Sequence, residues 1–246
     1  MRITIVTSVL NDCEGLRHTF GGVQAQDCEH IDWVVIDGGS TDGTLEYLRE
    51  LSAAAFVSEP DNGIYDAMNK GISLATGDYV VFMNAGDTFP SRDTLSRVCT
   101  ELQSKSRPDV LFGGAELLFR NGATKYRSPR DISEYIWHGM PANHQATYYR
   151  RDVLERYRFD LSYPLCADYC LDCKIYVNQH RCVNFDVPLV RFRIGDSTYQ
   201  APMQVLGEAF AIQRRVLHQS LPLSVLSYLR RGLTMSAVLL YNQFAR

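Results

Sequence analysis

The chain has 246 residues, with 25 lysines and arginines against 28 aspartates and glutamates and a net charge of −3. Hydrophobic residues make up 46% of it and charged residues 22%, which is typical of a globular protein with one large domain or two small ones. A general nucleic-acid-binding protein would carry an excess of basic residues, so the slightly acidic balance predicts no nucleic-acid partner.

The start of the chain and its cysteines bear on localisation. A strand pattern begins at Ile3 with no long apolar segment or small-residue cleavage site, which predicts no export signal. No stretch reaches the roughly 18 apolar residues that a membrane-spanning helix needs. Seven cysteines, an odd number, then favour reduced thiols and a cytoplasmic location.

Strand and helix patterns alternate over the first part of the chain. Short apolar runs bounded by turn residues predict strands at residues 3–9, 33–36, 55–58 and 79–83. Helical patterns follow these runs, at about 12–25, 45–51, 65–75 and 91–104. The alternation is typical of an α/β fold with a Rossmann-like, mostly parallel twisted sheet and helices on both faces.

The pattern changes after a fifth strand, which is predicted at residues 110–112. A β-hairpin is predicted over 116–126 and a strand near 146–149, and two strand-like runs lie within 183–194 on either side of Pro188. From residue 201 the pattern is helical, with a break at Pro222.

These patterns predict the domain organisation. We expect a single domain over 1–200, with a nucleotide-binding half at 1–113 and an acceptor-binding half at 114–200. A helical extension is expected at 201–246.

Polar side chains follow the ends of several predicted strands. Thr7 lies near the end of the first strand, Asp37 follows the second, and Asn84 and Asp87 follow the fourth. Because the carboxyl ends of parallel strands lie along one edge of a sheet, where ligands bind, these residues predict a nucleotide cleft. Asp87 is a candidate for holding a metal ion that in turn holds phosphate; the alternative is a turn residue that caps the next helix.

Two further residues are candidates for this cleft. Asp37 could bind a ribose or a base, and Lys70, one helix later, could reach a phosphate. Since lysines are mostly exposed, a solvated helix lysine is the alternative at Lys70. The chain has neither G-x-G-x-x-G nor a P-loop lysine, so dinucleotide and P-loop sites are not supported.

Three stretches, at residues 3–11, 35–44 and 59–87, resemble the family 2 glycosyltransferases with the GT-A fold. Residues 58–71 are similar to enzymes of bacterial exopolysaccharide assembly, including the colanic-acid type. The similarity is strong over roughly the first 115 residues and weaker beyond them. It implies a GT-A fold, a nucleotide-sugar donor that is usually UDP-linked, a divalent metal ion (Mg²⁺ or Mn²⁺) and inversion at the anomeric carbon.

The resemblance also implies roles for the residues of the cleft. Thr7 and Asp37 correspond to nucleoside contacts, and Asp66 and Lys70 to the donor site near the uracil or the diphosphate. The Asp-x-Asp metal motif of the family falls on residues 84–87, with Asn84 in place of the first carboxylate, as a neutral metal ligand or a ribose contact. Mg²⁺ takes one or two protein carboxylates plus substrate phosphates, so Asp87 alone can suffice.

Residues of the second half resemble the acceptor side of the family. Asp168 matches the catalytic base at the start of a helix, with Ala167 where the family often has another acid. An aspartate there could instead be a helix N-cap. His144 and Gln145 match a family pattern that contacts the acceptor or the donor sugar; a core histidine with satisfied partners is the alternative.

A third group corresponds to the flexible loop that covers the diphosphate in the family. Arg191, Arg193 and Ser197 flank Gly195 in this position. An ordinary exposed loop is the alternative interpretation.

The C-x3-C-x2-C spacing of Cys166, Cys170 and Cys173 matches that of radical-SAM iron–sulfur ligands. A buried helix face is favoured over a cluster, because free cysteine behaves as a small hydrophobic residue and short motifs often match by chance. A radical-SAM-type enzyme therefore remains only an alternative function.

The helical tail is basic and amphipathic. It allows two interpretations, peripheral contact with an anionic membrane or packing on the domain or on a second subunit as a homodimer. The sequence thus predicts an inverting glycosyltransferase that acts at the inner face of the cell membrane on a lipid-linked saccharide acceptor, in bacterial surface polysaccharide synthesis. A non-catalytic nucleotide-sugar-binding protein is the other alternative.

Overall fold

The computed structural model describes residues 1–51, 55–119, 122–193 and 201–244, with side chains described as far as residue 236. The described strands form one eight-stranded sheet in the order β3-β2-β1-β4-β7-β5-β6, and β8, which is outside this order, pairs parallel with β5. These strands are β1 (Ile3–Val9), β2 (Ile31–Asp37), β3 (Ala55–Ser58), β4 (Tyr79–Phe82), β5 (Val110–Leu118), β6 (Thr124–Arg127), β7 (Thr147–Arg150) and β8 (Cys182–Arg193).

The described helices surround the sheet, and two of them begin at an aspartate whose side chain caps them. Asp12 accepts from the Gly15 amide at 2.9 Å and Asp131 accepts from the Ser133 amide at 2.8 Å, so each satisfies a free N–H of its first turn. The helices are α1 (Cys13–Gln24), α2 (Thr44–Glu50), α3 (Ile64–Leu74), α4 (Thr94–Ser104), α5 (Ile132–Tyr135), α6 (Arg151–Tyr157), α7 (Ala167–Val177), α8 (Pro202–Arg215) and α9 (Leu221–Phe244), with a 3-10 helix at His144–Ala146.

The predicted alternation of strands and helices in the first half is confirmed. The strands β1, β2, β3 and β4 are parallel to one another, so their carboxyl ends lie at one edge of the sheet. The predicted hairpin is also present, since β5 and β6 pair antiparallel from Ala115–Arg127 to Leu118–Thr124. The break in the tail is confirmed too, because Pro222 lies in the first turn of α9.

The structure differs from the sequence prediction around Pro188. The sequence predicts two separate runs there, but β8 is one strand that pairs with β5 on both sides of the proline. The pairing shifts register between Gly113 and Gly114 and again between Gly114 and Ala115. A bulge tolerates proline because the missing N–H is not needed in the ladder, so the strand continues.

The second half of the chain enters the sheet through β7. This strand pairs antiparallel with β4 on one side and with β5 on the other. The elements of the second half are thereby attached directly to β4, the last parallel strand of the first half. A backbone bridge between Thr88 and Arg191 joins the segment after β4 to the end of β8.

Two apolar clusters lie on opposite faces of the sheet. The alternation of β4 shows this, because Val80 and Phe82 belong to one cluster, whereas Tyr79 and Val81 belong to the other. Helix α8 contributes to the first cluster through Val205, Ala209 and Ile212, so the predicted extension shares the domain core. None of the described helices is long and apolar enough to span a bilayer.

Candidate functional site

The turn after β4 carries Asn84 and Asp87. The Asp87 amide donates to the Asn84 carbonyl at 3.1 Å, and Gly86 takes a positive φ of 92° that a side chain would strain. The Thr19 hydroxyl of α1 donates to the Asp87 carbonyl at 2.8 Å and accepts from the Gly86 amide at 3.0 Å. These two hydrogen bonds attach the turn to α1 and hold Asp87 at the carboxyl end of β4.

The Asp87 side chain is buried, with 3% exposure. Its Oδ1 lies 3.4 Å from the Arg193 amide and its Oδ2 lies 3.5 Å from the Gln145 Nε2. Burial raises the pKa of Asp87 to about 7, while the hydrogen bond from the Arg193 backbone N–H and the nearby His144 oppose that rise. A carboxylate that has lost most of its water but keeps two weak partners is suited to receive a cation.

Asp87 faces a cavity of about 810 Å³, which we call the first cavity. The start of α1 contributes Asp12, Glu14 and His18 to its wall, and the end of β8 contributes Arg193. No described residue forms an ion pair with the Arg193 guanidinium.

The residues of the turn fit a hard divalent cation. The Asn84 Oδ1 is buried and has no hydrogen-bond partner among the described residues, and Asp87 supplies a carboxylate beside it in sequence. Carboxylate and amide oxygens are the ligands that Mg²⁺ and Mn²⁺ prefer. The described residues contain no group of three His, Cys, Asp or Glu that could hold a metal, so such an ion would need oxygens from a ligand as well.

Asp168 lies in the first turn of α7 and lines a second cavity of about 400 Å³. Its Oδ2 lies 3.3 Å from the His144 Nδ1, and the His144 Nε2 is buried without a described partner. One turn further along α7, Asp172 is buried and accepts from the Tyr149 hydroxyl at 3.0 Å. Burial raises the pKa of Asp172 well above its usual value, which keeps a second negative charge away from Asp168.

Gln145 connects the two cavities. It lines the second cavity together with His144 and Asp168, and its amide reaches Asp87 in the first. Asp87, Gln145, His144 and Asp168 therefore form one continuous polar row from the end of β4 to the start of α7.

Thr7 and Asp37 are placed differently from the residues of this row. The Thr7 hydroxyl accepts from the Trp33 indole at 2.9 Å inside the domain. Asp37 is also buried, and its carboxylate accepts from the Ser40 amide at 3.1 Å and from the Ser58 hydroxyl at 2.6 Å. Neither residue lines the two cavities, so a contact with a nucleoside would require other positions of these side chains.

Asp66 and Lys70 hold the loop that precedes α3. The Lys70 Nζ lies 2.9 Å from Glu59 Oε1 and donates to the Pro60 carbonyl at 3.0 Å, while Asp66 accepts from the Asn62 amide at 3.0 Å. The hydrogen bond to Glu59 raises the pKa of Lys70. Lys70 would have to leave Glu59 to reach a phosphate.

The two arginines of the predicted diphosphate loop lie in a strand. Arg191 and Arg193 lie in β8 because the strand continues past Pro188. The Arg191 Nε pairs with Glu116 Oε2 at 2.9 Å, which directs this guanidinium away from the first cavity. Ser197 lies outside the described residues.

Comparison with known proteins assigns the chain to a family. The model of Glycosyl transferase family 2 matches residues 4–176, which is well over half of the chain. The chain belongs to this family.

A curated relative of the chain also has a glycosyltransferase name. A Mycobacterium tuberculosis protein named "Uncharacterized glycosyltransferase" is 32% identical over 171 residues, which cover 68% of this chain and 65% of that protein. This chain thus spans less than two thirds of that relative's length.

Two solved structures have the same GT-A fold. TarS of S. aureus, in complex with UDP, has a TM-score of 0.66 and 17% identity, over 88% of this chain and 71% of that one. The mannosyltransferase PcManGT of Pyrobaculum calidifontis, in complex with GDP-Man and Mn²⁺, has a TM-score of 0.65 and 19% identity, over 96% and 75% of the two chains.

The cysteines of this family 2 chain do not support the iron–sulfur alternative. Cys166, Cys170 and Cys173 are buried in the core cluster around α7. Burial raises the pKa of all three thiols, to about 11 for Cys170, whereas cluster ligands must be thiolates.

Sequence reasoning missed two arginines of the second cavity. Arg127 is partly buried and donates to Asn143 Oδ1 at 2.6 Å and to the Met140 carbonyl at 2.9 Å, which fixes the segment before His144. Arg231 of α9 also lines the cavity. Arg127 sits at the end of a short polar strand and Arg231 in a basic tail, and no motif marks either of them.

Proposed function

We propose that the chain is an inverting glycosyltransferase that moves a sugar from a UDP-linked donor to a saccharide acceptor. One observation carries this proposal: Asp87 and Asp168 belong to one polar row, with a cavity at each end of it. The solved structures with the same fold support the donor class, since they hold UDP and GDP-Man.

The first cavity suits the diphosphate of the donor. Asp87 and Asn84 would hold Mg²⁺ or Mn²⁺, and Arg193 places a positive charge on the same wall. When bound, the metal ion neutralises negative charge on the leaving diphosphate. Asp37, Asp66 and Lys70 are assigned to the nucleoside side, where they order the loops after β2 and β3.

The second cavity suits the acceptor. The acceptor hydroxyl oxygen forms its bond to the anomeric carbon as the bond from that carbon to the diphosphate oxygen breaks, and the hydroxyl proton passes to the Asp168 carboxylate. With its proton on Nδ1, His144 donates to Asp168 and orients it. Gln145, which contacts Asp87, positions the sugar between the two carboxylates.

We assign a lipid-linked saccharide of a bacterial surface polysaccharide as the acceptor class. The support is the outer side of α9, where Leu226, Leu229 and Leu233 are exposed in a row at helical spacing. An apolar helix face beside the acceptor cavity would keep the enzyme at the bilayer surface that holds such an acceptor.

Replacement of the proposed base tests this function. Asp168→Asn should retain UDP binding and lose at least about a hundredfold in transfer rate, because general-base catalysis contributes roughly that much or more. Binding is measured by calorimetry with UDP and Mn²⁺, and transfer by release of UDP from a panel of UDP-sugars with mixed saccharide acceptors.

Asp152→Asn is the matched control, because Asp152 lies in the first turn of α6 and is exposed. Its transfer rate should equal that of the wild type. Full transfer by Asp168→Asn would remove Asp168 from this role, and UDP binding without any transfer by the wild type would favour a non-catalytic binding protein.

A further inference from the structure

The second cavity contains an arginine, Arg231, whose Nε and Nη2 have no hydrogen-bond partner in the part of the chain that the structure describes. Arg231 reaches the cavity from α9, with its guanidinium carbon 4.4 Å from the centre of the Tyr169 ring. Its Nε and Nη2 are buried and make no hydrogen bond with any described residue. The same cavity holds Asp168 and His144, so the arginine shares the space assigned to the acceptor.

An unpaired guanidinium in this place is costly. Arginine stays charged in proteins and has five N–H donors, so it cannot avoid the cost by losing its proton. Buried donors without partners cost free energy unless a ligand satisfies them. The planar guanidinium matches the two oxygens of a carboxylate or a phosphate, and its contact with Tyr169 holds that plane in place.

The surface next to the cavity is basic as well. A smaller cavity of about 330 Å³ shares Leu117 and Arg127 with the second cavity. Lys125 and Arg130 also line it, and no acidic residue does. A ligand that extends from Arg231 across Arg127 would therefore remain in a positive environment.

We propose that the acceptor carries an anionic group, a phosphate or a carboxylate, that binds to Arg231 in the second cavity. The remainder of the acceptor continues past Arg127 toward Lys125 and Arg130. This inference rests on the proposed function, because it adds an anionic group to the same acceptor whose hydroxyl Asp168 deprotonates. The anion can belong to an acidic sugar or to the phosphate that links a sugar to a carrier.

Three phenyl probes separate these sources. Phenyl β-glucoside is neutral, phenyl β-glucuronide carries a carboxylate on the sugar, and glucosyl phenyl diphosphate carries phosphate in the linker. Their binding is measured by calorimetry with the full chain saturated by UDP and Mn²⁺, which fills the donor site. We expect at least one anionic probe to bind about tenfold or more tightly than the neutral probe.

Substitution of Arg231 should remove this preference. In Arg231→Gln the favoured anionic probe should bind only as well as the neutral one, and Arg231→Lys should keep part of the difference because it keeps the charge. Arg156→Gln is the matched control: Arg156 is exposed and lies 5.3 Å from the centre of the Tyr157 ring, away from the cavity. It should bind all three probes like the wild type.

The outcomes separate this inference from the proposed function. Tighter binding of the glucuronide alone identifies an acidic sugar, and tighter binding of the diphosphate alone identifies the linker. The inference is overturned if the wild type binds all probes equally, or if Arg231→Gln retains the preference.

Arg231→Lys decides if Arg231→Gln does not fold. An unchanged preference of Arg231→Lys for the anionic probe would show that the guanidinium does not bind the anion. Failure of the wild type to bind UDP would instead contradict the proposed function.

Discussion

At the scale of single residues, the buried carboxylate of Asp87 is the feature on which the proposed donor binding depends. Its two contacts, to the Arg193 amide and the Gln145 side chain, are 3.4 and 3.5 Å long and leave room for a stronger partner. The sequence places Asn84 where the family has another carboxylate, so the turn carries one negative charge fewer. We therefore expect a metal ion to bind well only together with the diphosphate.

Loss of Asp87 should weaken UDP binding only when a metal ion is present. Asp87→Ala should raise the dissociation constant for UDP by about tenfold or more in Mn²⁺, as expected for loss of a metal contact, and should leave it unchanged in EDTA. Calorimetric titrations under both conditions measure this. Asp93→Ala, at a position outside both cavities, should behave like the wild type. Equal weakening of Asp87→Ala in EDTA would show that Asp87 acts without a metal ion.

At the scale of elements, the position of α3 on the sheet depends on the absence of one side chain. A Cβ atom at Gly71 would lie 2.2 Å from Val6 Cγ1, so the helix packs directly against β1. This close approach aligns α3 with the loop that Asp66 and Lys70 hold. It also explains why a residue of low helix propensity occurs in the interior of α3.

Gly71→Ala should therefore destabilise the protein, although alanine favours helices. Displacing Val6 or α3 should cost about 1–3 kcal/mol in the free energy of unfolding, as overpacking of a core does. Gly21→Ala in α1 is the control, because no atom lies within 4 Å of its Cβ position, and it should gain about 0.5–1 kcal/mol. Urea denaturation measures both. A neutral or stabilising Gly71→Ala would show that α3 can move away from β1 at little cost.

At the scale of the whole molecule, α9 has two different sides. Arg231 lines the second cavity, and Ser227 is buried and accepts from the Gln213 side-chain amide of α8 at 2.7 Å. On the other side Leu226, Leu229 and Leu233 are 55%, 58% and 74% exposed. The helix thus belongs to the site and at the same time presents an apolar strip outward.

Removal of that strip should release the protein from membranes. We expect the wild type to sediment with phosphatidylglycerol vesicles, and a variant with Leu226, Leu229 and Leu233 changed to serine to remain in the supernatant, because the apolar area that enters the bilayer is lost. Leu74→Ser, at an exposed leucine of α3, should sediment like the wild type. If the triple variant instead turns a dimer into a monomer, as light scattering would show, and vesicle binding is unchanged, the strip contacts a second subunit.

The sequence by itself determined the parallel half of the sheet and the residues at its edge. Strand and helix periodicity in this half depends on neighbouring residues, and short apolar runs bounded by turn residues, such as residues 79–83, indicate buried strands because they are too short for a typical helix. The carboxyl ends of those strands then had to meet at one edge. Asp87 could be proposed for the same reason, and Asp168 from the family resemblance.

Only the tertiary structure decided how the two halves meet. The insertion of β7 between β4 and β5, the continuation of β8 through Pro188 and the entry of Arg231 into the second cavity all join residues that are far apart in the chain. Local patterns contain no information about such contacts. The hydroxyl of Thr7 is another example. It accepts a hydrogen bond from the Trp33 indole of the neighbouring strand inside the core, whereas the sequence predicts it at the edge of the sheet.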